Sequence, residues 1–331
     1  MQWLRGGTTP EAEYTRFEVS TDHGATWTPL GTGTRIAGGW ELPGLELPAR
    51  GHLRARARTV GAFGVVETIA AYPLTPEITV QQPVGTRLLA GLATVPFGYA
   101  TTGGSGVAKT FTIANPGAVP LTISSVSVIA GASADFTVNT AGMLPTVPAL
   151  IGQTTFTVTF HPTTLGPRTA TLRIASNDPN ATAFDVSITG TGLTAYQMWK
   201  LIQLGNLNAP DTADPDADGI PHILEFAFNL PPLIADVTHV ALGTGLRGLP
   251  SIQIENVVGL GERLTIEYIR HRTYGTYTIE TSADLAIWTE ITPIPLAPPV
   301  NVSPDYERLA VADIVNVGPF TRFLRVVFRA P

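Results

Sequence analysis

Twelve residues in the C-terminal half of this sequence carry its clearest chemistry. The run from Asp214 to Glu225 reads DPDADGIPHILE, with aspartates at its first, third and fifth positions and glycine at the sixth. In calcium loops of this spacing the aspartates turn inward, the glycine makes the bend, and the seventh residue contributes a backbone carbonyl. A glutamate at the twelfth position closes the shell with two oxygens. The predicted Ca²⁺ ligands are Asp214, Asp216, Asp218, the Ile220 carbonyl and Glu225.

Two polar residues near this loop raise the question of catalysis. His222 stands at the ninth loop position, where a water usually mediates the contact to the metal, and Asp211 lies just upstream. A calcium ion with an open coordination position could polarise a carbonyl or activate water, with His222 or Asp211 as the base. A calcium-dependent hydrolase of esters or lactones is therefore one alternative function.

Motifs of the common enzyme classes are absent from the sequence. It contains no HExxH, no G-x-x-x-x-G-K and no dinucleotide-binding fingerprint. The run Gly103 to Val107 misses the G-x-S-x-G pattern, because Val107 stands where the second glycine belongs. The sequence therefore favours a protein without catalytic activity over a hydrolase.

The loop departs from a regulatory EF-hand in two respects. Paired EF-hands join through backbone hydrogen bonds at the eighth loop position, where Pro221 has no N–H to donate. Nine residues also separate Leu204, the end of the preceding predicted helix, from Asp214. The loop resembles instead the lone calcium sites of dockerins and thrombospondin type 3 repeats. This resemblance implies a structural site, and an affinity on the order of 10⁻⁴ to 10⁻³ M would suit an extracellular module.

Composition limits the remaining functions. The 331 residues include 26 acidic and 20 basic side chains, so we expect no basic surface for nucleic acid. The lack of cysteine excludes disulfides, thiolate catalysis and cysteine-based zinc sites. No apolar run reaches the length of a membrane span, and the start lacks the apolar core of a signal peptide. Because Gln2 to Arg5 reads like the middle of a strand, we expect this chain to be the C-terminal fragment of a longer protein.

Strand patterns and turn signals divide the chain into four predicted segments. The first reads as a β-strand domain, and the second as an Ig-like sandwich of short strands separated by Asn, Gly and Pro turns. The third combines a helix with the calcium loop, and the fourth returns to strands. The predicted fold is mainly β, with tandem Ig-like sandwich modules and a short helix–calcium loop–helix linker. The boundaries are 1–74, 75–193, 194–231 and 232–331.

Two helices are predicted around the calcium loop. The first runs to Leu204; Thr194 caps its start and Gly205 ends it. Pro221 is expected at the first position of a second, apolar helix that runs from His222 to Leu230. Helical spacing assigns the buried face of the first helix to Ala195, Met198, Trp199 and Ile202.

Two stretches share a hairpin pattern. Ser20 to Trp27 reads STDHGATW and fits the Asp-box pattern S-x-D-x-G-x-T-W, in which the aspartate binds backbone N–H groups of its own turn. The stretch from Ser282 to Trp288 repeats the Ser-x-Asp turn and the tryptophan but lacks the glycine. The motif is structural in most proteins that carry it, so we predict no catalytic role.

The second segment also resembles a known family. The stretches FTIANPGAVPLTISSV, TTFTVTFHPTTLGPRTATLRIASNDP and VSITGTG are similar to the ASH-type Ig-like modules of bacterial choice-of-anchor D surface proteins. That resemblance implies a spacer or interaction scaffold. The N-terminal stretches WLRGG and STDHGATWTPLGTGTRIAGGW resemble the sequence that follows delta-60-type repeats in large bacterial exported proteins.

These observations together predict a calcium-binding fragment of an extracellular or cell-surface protein with a structural or adhesive role. Its expected partners are calcium, upstream domains of a parent protein and a cell-surface or matrix polymer. A second alternative is carbohydrate or peptide binding on a sandwich face through exposed aromatic residues. The candidates for such contacts are Trp40, Tyr274 and Tyr306.

Overall fold

Alternating apolar and polar residues build strands along most of the chain, which is mainly β and contains sandwich modules, as predicted. The computed structural model has two compact units, Met1–Gly192 and Leu193–Pro331. The four predicted segment boundaries stay predictions. Within the described residues, no helix combines the length and apolar character that a membrane span needs. The structure describes residues 1–6, 11–48, 50–59, 61, 64–72, 75–318 and 321–331.

Two small antiparallel sheets form the beginning of the first unit around one apolar cluster. Trp3, Phe17 and Trp40 contribute its aromatic side chains. The strands pair in the orders β1-β5-β4 and β3-β2-β6-β7. They are β1 (Gln2–Leu4), β2 (Ala12–Ser20), β3 (Thr28–Thr32), β4 (Thr34–Ile36), β5 (Gly39–Glu41), β6 (Gly51–Thr59) and β7 (Val65–Tyr72).

The rest of the first unit is a sandwich of two antiparallel sheets with the orders β12-β14-β10-β8 and β13-β11-β15-β16-β9. Phe111, Phe156 and Phe160 of one sheet share a buried core with Leu172 and Ile188 of the other. This arrangement agrees with the Ig-like prediction. The strands are β8 (Thr79–Gln81), β9 (Thr94–Thr101), β10 (Val107–Asn115), β11 (Leu121–Gly131), β12 (Phe136–Asn139), β13 (Thr146–Val147), β14 (Gly152–Phe160), β15 (Gly166–Ser176) and β16 (Ala183–Leu193), with a 3₁₀ turn at Ser133–Asp135.

The second unit begins with α1 (Ala195–Leu204) and contains α2 (His222–Ala227) after the predicted calcium loop. Both predicted ends of α1 are confirmed. The Gln197 N–H donates to Thr194 Oγ1 at 3.0 Å, and the Thr194 N–H donates to Gln197 Oε1 at 2.9 Å, which completes a capping box. Gly205 ends the helix with a φ of 65°, a conformation that glycine adopts without steric cost.

The face predicted for α1 is buried only in part. Ile202 is exposed, whereas Tyr196 and Lys200 are buried. Tyr196 and Trp199 each pack on Phe226, with ring centroids 5.0 and 5.8 Å apart. Trp199 therefore packs as predicted, and the large ring of Tyr196 joins it because large rings bury more apolar area than aliphatic side chains do.

Removal of the capping box tests how much α1 depends on its first turn. We expect Thr194→Ala to lower the free energy of unfolding of the second unit by about 1 kcal/mol, because one orphan backbone N–H loses its acceptor. Urea unfolding followed by tryptophan fluorescence measures this change. Gln203→Ala, at an exposed position of the same helix, should change the unfolding free energy by less than about 0.5 kcal/mol. Equal effects of the two substitutions would contradict the prediction.

A second sandwich follows the helices. Ile266, Tyr268 and Val311 of its larger sheet pack against Ile279 and Leu324 of the smaller one. The orders are β17-β18-β23-β21, with β22 also on β23, and β20-β19-β24. The strands are β17 (Ser251–Val257), β18 (Gly261–His271), β19 (Thr276–Ser282), β20 (Thr289–Ile291), β21 (Ile294–Pro295), β22 (Val300–Asn301), β23 (Tyr306–Asn316) and β24 (Phe323–Arg329).

The first Asp-box-like turn forms the predicted hairpin. Asp22 accepts hydrogen bonds from the backbone N–H and hydroxyl of Thr26, and these bonds lower the pKa of Asp22 to about 2. The Arg54 guanidinium lies over the ring of Trp27, with its carbon 4.2 Å from the ring centroid. The contact with Arg54 holds this half-buried tryptophan against the sheet, which agrees with a structural role.

The second copy repeats this construction. Asp284 accepts the N–H groups of Ala286 and Ile287 at 2.8 and 2.9 Å. The Arg325 guanidinium lies 4.0 Å from the Trp288 ring centroid, as Arg54 lies over Trp27. The turn therefore forms without the missing glycine.

Candidate metal centre

Three aspartates of the predicted calcium loop converge on one point. Asp214, Asp216 and Asp218 are half-buried, and each offers an oxygen that lies within 4.8 Å of the others. The loop backbone holds them there, because the Asp218 and Gly219 N–H groups donate to Asp214 at 3.2 and 2.9 Å. Gly219 has a φ of 89°, which places the sharp bend where the sequence predicted it. The first half of the loop is therefore preorganised by its own backbone.

Asp218 also ties the loop to the chain that follows α2. One oxygen of its carboxylate accepts from the Ile220 N–H at 2.8 Å, and the other accepts from the Asp236 N–H at 2.9 Å. Ile220, whose carbonyl is a predicted ligand, buries its side chain beside Phe228 and Leu230. The loop is thus anchored to the second unit by hydrogen bonds on one side and by apolar packing on the other.

Glu225 extends the acidic group into the protein interior. It is 1% exposed, and both of its carboxylate oxygens are buried without a hydrogen-bond partner. Burial, and then the charges of Asp216, Asp218 and Asp214, raise its pKa to about 8. The pKa of Asp216 is also raised, by burial and by its contact with Asp214. One oxygen of Asp216 is likewise buried without a partner.

This donor set fits a hard divalent cation. Buried carboxylates are costly unless a counter-charge satisfies them, and here the described residues supply none for Glu225. Oxygen ligands from several carboxylates suit Ca²⁺, which accepts six to eight of them in an irregular shell. Asp214, Asp216, Asp218 and Glu225 would hold the ion, together with the Ile220 carbonyl.

The second helix differs from the prediction at both ends. Pro221 is its N-cap residue, with a φ of −74° and a ψ of 155°, rather than its first helical residue. The helix ends at Ala227 instead of Leu230, and the Leu230 N–H donates to the Glu225 carbonyl at 2.7 Å. The shorter helix still directs Glu225 inward, because its neighbours Phe226 and Ala227 are also buried.

The two candidate bases, Asp211 and His222, each have other contacts. Asp211 forms an ion pair with Lys200 at 3.1 Å. His222 is 4% exposed; its Nδ1 lies 3.1 Å from the Pro210 carbonyl, and its Nε2 is buried without a partner. A substrate ester would have to reach a covered imidazole beside a buried carboxylate. The geometry therefore gives no support to hydrolysis at this loop.

An aromatic cluster that sequence reasoning missed joins the loop to the second sandwich. The ring of Phe226 contacts His271, Tyr274 and Tyr306 at centroid distances of 5.0, 5.3 and 6.2 Å. The Tyr306 hydroxyl donates to the Phe226 carbonyl at 2.7 Å. The Tyr277 hydroxyl donates to the Ala227 carbonyl at 2.8 Å. These tyrosines satisfy carbonyl groups at the end of α2 and fix the helix that carries Glu225.

The aromatic residues predicted to bind a carbohydrate or peptide on a sandwich face are not exposed. Trp40 is 8% exposed and belongs to the first apolar cluster, while Tyr306 is 7% exposed and binds the end of α2. Tyr274 packs against Tyr196 and Phe226. The prediction of exposure is wrong for Trp40 and Tyr306, whose rings are buried in the core, whereas Tyr274 is half-buried.

Comparison with solved structures finds distant similarity to several proteins. A protein of unknown function from Porphyromonas gingivalis W83 matches at 14% identity and a TM-score of 0.28, over 55% of this chain and 86% of that one. The human ASH / PapD-like domain 7 of CEP192 matches at 10% identity and a TM-score of 0.26, over 37% and 89%. The N-terminal domain of PorA matches at 16% identity and a TM-score of 0.23, over 35% and 97%. No curated protein matches.

One part of the chain matches a protein family. The family is described as "Abnormal spindle-like microcephaly-assoc'd, ASPM-SPD-2-Hydin", abbreviated ASH, and the match covers residues 88–183. These residues lie in the predicted Ig-like segment and contain strands β9 to β15. The resemblance predicted for this segment is confirmed at the level of the ASH domain. Residues 88–183 therefore resemble the ASH Ig-like domain, which suggests a modular binding or structural role for this segment.

Proposed function

We propose that this chain is a calcium-stabilised structural or adhesive fragment of an extracellular or cell-surface protein. Ca²⁺ binds the loop from Asp214 to Glu225 and holds α2 against the second sandwich. The ASH-type module provides a further unit for spacing or interaction. Upstream domains and a surface or matrix polymer are the proposed partners.

The observation that carries this proposal is the burial of the Glu225 carboxylate without hydrogen-bond partners. A carboxylate that is 1% exposed, with both oxygens unpartnered and three aspartates nearby, needs a cation to be stable in its ionised form. Glu225 lies on α2, and the residue that follows it, Phe226, packs in the aromatic cluster. Metal binding is thereby coupled to the packing of the second unit.

The surroundings of the loop support a structural site rather than a regulatory one. Pro221 has no N–H for pairing with a second EF-hand loop, and the tyrosine hydroxyls hold the end of α2 in place. A regulatory EF-hand needs a helix pair that is free to open. Here Phe226 would have to leave several aromatic contacts before the helix could move.

Calorimetric titration of the full chain with Ca²⁺ tests this function. We expect one binding event with a dissociation constant on the order of 10⁻⁴ to 10⁻³ M, as in extracellular modules. Asp216→Asn should weaken binding by about tenfold or more, because it removes a charge at the third loop position. Asp305→Asn, which removes a charge from an exposed position of the same unit, should leave binding unchanged. Binding that is unaffected by Asp216→Asn would overturn the proposed site.

Turnover assays separate the structural proposal from the hydrolase alternative. We expect no calcium-dependent turnover from a panel of esters and lactones. Turnover that depends on calcium and disappears in His222→Ala, with the melting temperature unchanged, would replace the structural function with a catalytic one.

A further inference from the structure

We propose that a groove in the first unit binds an extended peptide that carries an acidic residue beside a large apolar residue. The groove consists of two adjoining cavities with volumes of about 510 and 380 Å³. Arg50, Glu77 and Arg87 line both cavities and so form the wall between them. This site is separate from the calcium loop and does not depend on it.

The shared wall is a cationic cluster. Both arginines approach the same oxygen, Glu77 Oε1: Arg50 forms an ion pair with it, and Arg87 Nη2 lies 3.8 Å away. Two guanidinium groups that share one carboxylate leave a net positive charge, whereas the whole chain carries −6. Each guanidinium has five N–H donors in a planar fork, and both side chains are about half exposed. The cluster therefore offers donors and charge for a second, incoming carboxylate.

The larger cavity has a mixed polar and apolar lining. His23 and His52 stand edge to face on one side, with ring centroids 5.7 Å apart. Gln81 and Gln153 line the same cavity with side-chain amides, which can donate to and accept from a peptide backbone. The exposed Ile151 also lines it and provides an aliphatic contact.

The smaller cavity is predominantly apolar. Ile78, Leu88 and Phe184 line it with buried side chains, and the exposed Leu89 stands at its side. The buried Asp178 carboxylate also lines it, and its two oxygens accept the N–H groups of Ile78 and Asn180 at 2.8 Å. An apolar side chain that entered this cavity would lie directly beside the arginine cluster. The order of the two cavities thus matches an apolar residue followed or preceded by an acidic one.

This lining favours a peptide over an acidic polysaccharide. Sugar rings bind proteins best on flat aromatic faces, and the described lining of the larger cavity contains no Trp, Tyr or Phe. The smaller cavity suits an aliphatic or aromatic side chain, which a polyuronate lacks. A peptide supplies both the carboxylate and the apolar group within one or two residues, since extended chain advances about 3.3 Å per residue.

Binding of two matched peptides to the full chain tests this proposal. The probes are acetyl-Gly-Leu-Glu-Leu-Gly-amide and its glutamine counterpart, acetyl-Gly-Leu-Gln-Leu-Gly-amide, measured by NMR or calorimetric titration. We expect the glutamate peptide to bind about tenfold more tightly, because it makes charge-assisted hydrogen bonds with the arginines. Equal binding of the two peptides, or no saturable binding of either, overturns the proposal. Equal or tighter binding of trigalacturonate shows a saccharide site and overturns the assignment to peptides.

Two substitutions with opposite expected effects on peptide binding locate the site. We expect Arg87→Ala to weaken binding of the glutamate peptide by about tenfold and Glu77→Gln to strengthen it severalfold, since Glu77 competes for the same donors. A merely structural role of Glu77 would not produce tighter binding. Arg56→Ala is the matched control, because Arg56 is similarly exposed and pairs with Glu67 at 3.1 Å outside the groove. If Arg56→Ala weakens binding as much as Arg87→Ala does, or Glu77→Gln weakens it, the groove is not the site.

Discussion

Calcium at about 10 mM is expected to raise the melting temperature of the second unit by about 5–10 °C. With a dissociation constant of 10⁻⁴ to 10⁻³ M, this concentration stabilises the folded state by about 1.4–2.7 kcal/mol. A domain of this size responds to each kcal/mol with a shift of roughly 4 °C. Calorimetric scans of the full chain with calcium and with a chelator measure the shift. Identical scans under the two conditions would show that calcium does not stabilise this unit.

The same centre predicts a dependence of stability on pH in the metal-free protein. The pKa of Glu225 is raised from its ordinary value of 4.5 to about 8 by burial and by Asp216, Asp218 and Asp214. A carboxyl group with a raised folded-state pKa contributes stability that is present below pH 4.5 and is lost as the pH rises through 8. We therefore expect the calcium-free protein to unfold at less urea at pH 8 than at pH 5. Calcium should remove this difference, because the metal stabilises the ionised carboxylate.

Two substitutions of glutamate distinguish this centre from general electrostatic repulsion. Glu225→Gln should abolish both the calcium shift and the pH difference, and it should stabilise the calcium-free protein at pH 8. Glu290→Gln makes the same charge change at an exposed position of the second unit and should leave both effects intact. If Glu290→Gln acts as strongly as Glu225→Gln, the net charge of the unit rather than the loop governs its stability.

The sequence predicted those features that depend on neighbouring residues. The aspartates of the loop, the bend at Gly219 and the two ends of α1 each follow from contacts within about five positions. The alternating strands of the ASH-type module and the repeated Asp-box turn are local in the same sense. In these cases the spacing of residues along the chain causes the local structure. The structure could therefore be predicted from the sequence.

Features that depend on distant residues could not be predicted. The hydroxyl of Tyr306 reaches a carbonyl 80 residues earlier in the chain, and no local pattern marks it as the partner of Phe226. For the same reason, Tyr274 and Tyr306 were expected to be exposed, and Ile202 was expected to be buried. The burial of Glu225 also depends on this packing. The sequence predicted Glu225 as a calcium ligand, but it could not show that both of its oxygens lack a hydrogen-bond partner among the described residues.

Phe226 is expected to be the residue on which the second unit depends most. Its ring contacts Tyr196 and Trp199 of α1 and also His271, Tyr274 and Tyr306 of the sandwich region. We expect Phe226→Ala to lower the free energy of unfolding by about 3–5 kcal/mol, because it removes a large buried ring and leaves a cavity. Chemical denaturation in excess calcium measures this loss. Ile202→Ala, at an exposed position of α1, should cost less than about 0.5 kcal/mol.

The calcium affinity of the same variants tests the coupling between the metal centre and the core. Because Phe226 follows Glu225 directly on α2, loss of its ring should also loosen the glutamate and weaken calcium binding by about tenfold. Phe226→Leu keeps an apolar side chain and should restore most of the affinity. A Phe226→Ala protein that is destabilised but binds calcium with unchanged affinity would show that the loop orders Glu225 without help from the aromatic cluster. Loss of both properties together would mean that the loop, α2 and the second sandwich form one cooperative structure.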